Sequence, residues 1–122
     1  MHRDILQALG GTLAAGDPNG MRALLHHEVE MVVDTGGDDA VAFLPHAPTS
    51  GSRSGADAVV SGLCDLTPAA VGVETAMVND LPGLLFVRDG LVVGVLTAQL
   101  RDGLVRGIWV VCNPAKLGHW NR

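Results

Sequence analysis

The side chains of this sequence that could do chemistry are few and well separated. Asp34 closes a run in which apolar and polar residues alternate. Glu74 sits in a second such run beside the small residues Gly72 and Ala76, with Val78 further along the same face. A carboxylate held between apolar walls can exchange a proton near neutral pH, because burial disfavours its charged form. Asp34 has a plainer reading as well, in which its side chain accepts from the backbone of Thr35-Gly36-Gly37 and starts a turn. Strict alternation groups it with Glu28 and Glu30, which suits a solvated face. Glu74 either lines a cavity left by its small neighbours or pairs with an arginine on the outer sheet face.

Three basic groups are placed to tune these acids. Arg53, ahead of a predicted helix, can meet an anionic ligand or Asp34. Arg106 alternates with Ile108 and Val110 and can point across a pocket. His46 lies beside Phe43, Leu44 and Pro45 in a loop, where an imidazole titrating near neutrality can reach inward when the loop closes. Each also reads as an ordinary surface residue. Trp109 is the largest expected pocket wall, and Phe43 is expected to reach the pocket from the loop when it closes.

Other chemistries drop out. There is no Gly-rich phosphate cradle between a strand and a helix and no Ser-centred nucleophile elbow. His26 and His27 are adjacent, so on a helix they project about 100° apart and cannot ligate one metal. Cys64 and Cys112 belong to no C-x-x-C pair and read as two buried free thiols of a reducing cytoplasm. No metal and no cofactor is therefore expected. The formal net charge of −5, with scattered Lys and Arg, removes the basic stripe that nucleic-acid binding requires. No apolar run approaches the roughly 18 residues of a membrane span, and Met1-His2-Arg3-Asp4 enters an amphipathic pattern directly, so a cytoplasmic protein is expected.

The elements that must position these residues follow from periodicity. At 122 residues and 48% hydrophobic content the chain supports one domain with one core, spanning residues 1–122. Ile5, Leu6, Leu9 and Leu13 predict a first helix over 3–15 ended by Gly16. Asp17-Pro18 restarts a second, capped by the Asp17 carboxylate, with Met21, Leu24 and Leu25 on its apolar face. Residues 28–34 alternate as a strand with Val29, Met31 and Val33 on one face. Residues 35–52 form a long loop of lid type. Ser54-Gly55-Ala56-Asp57 has capping-box spacing ahead of a third helix bearing Val59, Val60 and Leu63. Four strand-like runs follow, two of their turns marked by Asp89-Gly90 and Asp102-Gly103. The order predicts an α+β arrangement, three helices segregated from a mainly antiparallel sheet. Residues 91–100 are apolar on both faces, Leu91, Val93 and Val95 against Val92, Leu96, Ala98 and Leu100, which predicts a homodimer through the outer sheet face.

Three motifs carry a family resemblance. Val78-Asn79-Asp80-Leu81-Pro82-Gly83-Leu84 resembles a Val-Asn-Gly-x-Pro-Gly-Leu turn, Asn113-Pro114-Ala115-Lys116-Leu117 a terminal Asn-Pro-Asp-Lys-Leu, and Asp34-Thr35-Gly36-Gly37-Asp38 an Asp-Gly-Gly-Gly-Lys. All belong to the carboxy-terminal SnoaL-like domain of extracytoplasmic-function sigma factors. That branch lies within the superfamily of nuclear transport factor two, ketosteroid isomerase and small polyketide cyclases. The resemblance implies a cystatin-like α+β roll whose helices and curved sheet enclose a ligand-sized pocket, with an acid or base at the end of the first strand, here Asp34. Lys becomes Asp38 and Asp becomes Ala115, which removes carry-over of contacts through that lysine. No tyrosine is present, so a tyrosine oxyanion hole is excluded. Two functions are then expected. One is a cofactor-independent enzyme of natural-product metabolism (cyclisation, isomerisation, dehydration or epoxide opening) acting on an apolar organic substrate, with Asp34, His46 and Arg53 catalytic and Glu74, Trp109, Phe43 and Arg106 binding. The other is a non-catalytic ligand-sensing or protein-interaction module.

Overall fold

The first helix, α1 (His2–Ala15), buries Leu6, Leu9 and Leu13 along one stripe, and Gly16 at φ +65° ends it. These coordinates are a computed structural model that describes residues 2–34, 51–66, 71–112 and 116–120. The second helix, α2 (Pro18–Leu24), starts as its sequence predicts. Pro18 occupies the first turn and the Asp17 carboxylate accepts the Gly20 N–H at 3.0 Å.

The first strand begins earlier than alternation suggested. Strand β1 (Leu25–Asp34) follows α2 directly, so His26 and His27 are strand residues, not helical ones. Leu25 registers with Val105 but Glu30 with Gly107, so most of residues 26–29 bulge out of the ladder. In this irregular stretch the His26 ring is buried, accepts the Glu28 N–H on Nδ1 at 3.0 Å, and stacks on His27 with centroids 4.4 Å apart.

A short strand that Gly and Ser content hid, β2 (Gly51–Ser54), pairs antiparallel with β1. Helix α3 (Ala56–Asp65) comes next, without the expected capping box. Its N-cap is Gly55 at φ +91°, with no side-chain cap. Ser54 is held in β2 opposite Glu30, and the Asp57 carboxylate is taken by Arg22 of α2 at 2.6 Å. The expected lid over 35–52 falls mostly outside the described residues.

Strands β3 (Gly72–Val78), β4 (Leu81–Arg88), β5 (Leu91–Arg101) and β6 (Leu104–Val111) form an antiparallel meander. Its turns Asn79-Asp80, Asp89-Gly90 and Asp102-Gly103 all have positive φ at both central residues, the backbone that matches the twist of paired strands. The sheet order is β2-β1-β6-β5-β4-β3, with β1 and β6 parallel. The result is the expected α+β architecture: three helices on a curved, mostly antiparallel six-stranded sheet that does not close.

The helix-facing side is a continuous aliphatic layer. Val29, Met31, Val33, Leu84, Phe86, Leu96, Ile108 and Val110 from the sheet meet Leu6, Leu9, Leu13, Met21, Val59, Leu63 and Leu66 from the helices and their ends. Each such side chain stabilises the fold by about 1.5–3 kcal/mol relative to exposure.

The outer side corrects the expected face pattern of residues 91–100. An irregularity between Phe86 and Val87 shifts the phase of β5, so Val93 joins the inner core with Leu96, while Val95 and Val92 turn outward. They are not left exposed. Leu117, just ahead of a terminal 3-10 turn (Gly118–Trp120), and Trp120 at its end pack with Val78, Val95 and Val111. The apolar face that implied pairing between copies is therefore largely covered by the chain itself. Val32 and Trp109, neighbours in register on β1 and β6, remain 41% and 45% exposed.

The two cysteines also part company. Cys64 on α3 is exposed rather than buried, whereas Cys112 is buried and its thiol is pushed up to about 12, first by burial and then by the nearby Asp34 charge. A native-state thiol titration at pH 8 should modify Cys64 alone, with Cys112 reacting only on unfolding; fast modification of both would contradict this packing. Because the folded thiol holds its proton more tightly than the unfolded one, its contribution to stability is intact below pH 9 and falls as pH rises towards 12.

Candidate functional site

Asp34 ends β1 on the outer side, in phase with Glu30 and Val32 and opposite Val111 of β6. Its backbone carbonyl accepts the Cys112 N–H at 2.7 Å, and its carboxylate accepts from Lys116 Nζ at 2.6 Å. Next to Lys116, Leu117 packs on Val78 and Val95. Asp34, Lys116-Leu117 and Val78 come from the three separate sequence motifs. Their side chains thus act together, fastening the terminal segment across the outer sheet face. The motif residues Asn113, Pro114 and Ala115, like His46 and Phe43, lie outside the described residues.

Arg53 does not join Asp34. It registers with Met31, on the helix-facing side, and its Nη1 donates to the Ala58 carbonyl at 3.3 Å. Its stem runs under α3, where a Cβ on Gly62 would meet Arg53 Cδ at 3.2 Å and Met31 Sδ at 3.3 Å. Arg53 is a wedge between α3 and β1. Glu74 lies exposed on β3, opposite Leu85, and has no ion-pair partner among the described residues.

Arg106 and Trp109 do come together, though not inside the roll. Leu100 registers with Val105 and Gln99 with Gly107, which leaves Arg106 as the extra residue of a bulge. That extra residue breaks the alternation with Ile108 and Val110 and turns Arg106 onto the outer side. There it lines a cleft of about 410 Å³ with Trp109, Glu30, Gln99 and Arg101. The register supplies the layout. One row across the strands is Glu30–Gly107–Gln99, and the next is Val32–Trp109–Thr97. Gly107 is the floor. A Cβ there would stand 3.0 Å from Trp109 Cη2 and 3.2 Å from Cζ3, so the missing side chain is what lets the indole lean over the depression. Arg106 is 3.9 Å from Glu28 through one Nη, and Glu28 is 3.4 Å from His27.

Glu30, Gln99, Arg101 and Gly107 escaped the sequence reading. The available signal was a glycine inside a strand between an arginine and a tryptophan, which marks a bulge or a close approach. A shallower groove of about 520 Å³ runs along the α1–β3 margin, lined by Glu74 with Gln7, Gly10, Val73 and Leu84, and smaller clefts lie beside Met77 and the terminal turn. Among the described residues, the enclosed pocket expected between helices and sheet is occupied by packed aliphatic side chains.

No family model matches the sequence, and neither does any curated protein. Solved structures do. The extracytoplasmic function sigma factor SigJ of Mycobacterium tuberculosis is 26% identical over 94% of this chain, with a TM-score of 0.65; the match spans 43% of the sigma factor. A putative ketosteroid isomerase from Kribbella flavida matches at 19% identity over 90% of this chain and 76% of its own, with a TM-score of 0.62. An NTF2-like protein from Cytophaga hutchinsonii matches at 12% identity over 97% and 95%, also at 0.62. The neighbours are NTF2-like and SnoaL-like proteins, and this chain has their α+β roll.

The Asp34–Lys116 pair is partly solvated, its side chains 34% and 61% exposed. A double-mutant cycle with Asp34→Asn and Lys116→Met should give a coupling of under about 1 kcal/mol that shrinks with added salt. Coupling of several kcal/mol would show that the pair is far more shielded than this geometry allows.

Proposed function

We propose that this chain, with its NTF2-like fold, works as a non-catalytic binding module of the sigma-factor-associated SnoaL-like kind, and not as an acid/base enzyme. One observation carries the proposal. The layer between helices and sheet, where a substrate would be enclosed, is filled by aliphatic side chains, and the only buried polar side chain among the described residues is His26. General acid/base catalysis needs a carboxyl group within hydrogen-bond reach of a held substrate. Asp34 and Glu74 both face the outer side, and Asp34 is engaged by Lys116.

In this reading Asp34 and Arg53 are structural, one tying down the terminal segment and the other seating α3. Trp109 and Arg106 are the binding residues, on the outer face. The 26% identity to a sigma factor over 94% of this chain supports a regulatory setting more directly than the isomerase-named neighbours, whose lower identity speaks to fold alone.

The test is proton exchange. An isomerase or cyclase of this fold that works through an enol exchanges the acidic α-protons of bound ketones with solvent, which NMR in D₂O detects without knowledge of the natural substrate. The protein should leave a panel of enolisable cyclic ketones exchanging at the buffer rate. Exchange well above that rate, abolished by Asp34→Asn in a folded variant, would establish catalysis and end the proposal.

A further inference from the structure

The outer-face cleft at Trp109 specifies a ligand, and we infer that it takes a flat aromatic monocarboxylate carrying a hydroxyl or amino group on its ring. This rests on the binding-module reading above and names the chemistry of its site.

The floor and wall come first. Gly107 leaves a strand-wide depression, and the indole of Trp109 leans over it while staying 45% exposed. A half-exposed indole seated on Gly107 keeps its outer surface for a planar partner, a stacking face and apolar contact at once. The volume of about 410 Å³ lies in the range of small-molecule sites and exceeds what a single aromatic ring fills.

Charge then sets the polar end. Arg106 and Arg101 both line the cleft. The Arg106 side chain is 27% exposed and, among the described residues, meets Glu28 through one Nη at 3.9 Å, a long contact that leaves its guanidinium edge able to form a fork with a carboxylate. The bulge that turns Arg106 outward places it next to Gly107 and three residues before Trp109, on the same side of the sheet. A carboxylate on Arg106 and a ring on Trp109 are thus reached by one rigid molecule.

The far side selects further. Glu30 and Gln99 flank Gly107 in register. A second anionic group near Glu30 is repelled, which limits the ligand to one carboxylate. A ring hydroxyl or amine donates to Glu30, and the Gln99 amide can meet either end. Phosphate esters, with their greater charge, fit the Glu30 side poorly.

Two indole N–H signals report on this without any labelling of the ligand, since the chain has two tryptophans and Trp120 sits in the terminal turn. Titrating the protein with 6-hydroxy-2-naphthoate should move the Trp109 N–H saturably and leave Trp120 in place. 2-Naphthol, which lacks the carboxylate, should bind on the order of tenfold more weakly, and Arg106→Gln should weaken the naphthoate by a similar factor. Gly107→Ala should displace the indole and abolish binding while the rest of the spectrum stays native. Equal binding of 2-naphthol, or no saturable shift by about 5 mM, overturns the ligand class. A Trp109 signal that instead follows protein concentration, with sedimentation showing a dimer, overturns it in favour of a second copy covering the cleft. These outcomes are independent of ketone exchange: a failed titration without exchange sinks only the ligand class, whereas Asp34-dependent exchange sinks the binding-module reading itself.

Discussion

The parallel pairing of β1 with β6 governs the rest of the molecule. It joins the first strand to the last across nearly the whole chain and places Met31 beside Ile108 and Val33 beside Val110. Side chains alternate with period two, so a slip of one residue would send Val29, Met31 and Val33 to solvent and bring Glu28 and Glu30 into the core. Irregular stretches at both strands absorb the mismatch: residues 26–29 on β1 and Arg106 on β6. Beyond the strands, the Cys112 N–H to the Asp34 carbonyl and the Lys116–Asp34 ion pair extend the same junction.

That junction divides the sheet into two unlike faces. Among the described residues the helix-facing side is packed with aliphatic side chains under α1 and α3, with Arg53 wedged under Gly62 and a groove left along the α1–β3 margin. The outer side is covered at one end by Leu117 and Trp120 and carries at the other the cleft lined by Trp109 and Arg106. A roll of this kind offers the usual ligand space on its concave side, and here aliphatic volume occupies that space among the described residues. The features suited to recognition, an exposed indole with arginines and a carboxylate around a glycine floor, have gathered on the opposite face.

Much of the fold was legible because local signals and tertiary structure agree. The stripe Leu6, Leu9, Leu13, the Asp17-Pro18 start and the two Asp-Gly turns each state their geometry within a few residues. The site was less legible, and bulges are the reason. Arg106 reads as a neighbour of Ile108 and Val110 until one unpaired residue turns it to the other face, and the phase of β5 changes in the same way near Val93. The His26-His27 pair, placed on a helix by continuation of the pattern, belongs to a strand because α2 stops at Leu24. The capping box at Ser54 failed because Arg22, 35 positions before Asp57, claims its carboxylate, a contact that no local window contains. Asp34 was found as a strand-end acid, but its partner Lys116 stands 82 residues away.

The central claim is that the space between helices and sheet is filled, so that binding belongs to the outer face. Xenon enters apolar voids and shifts the methyl groups that line them, and it ignores close-packed cores. A methyl NMR spectrum recorded under xenon pressure should leave Leu9, Leu63, Leu96 and Ile108 unmoved. Saturable xenon shifts at those four residues would reveal an interior cavity and contradict the account.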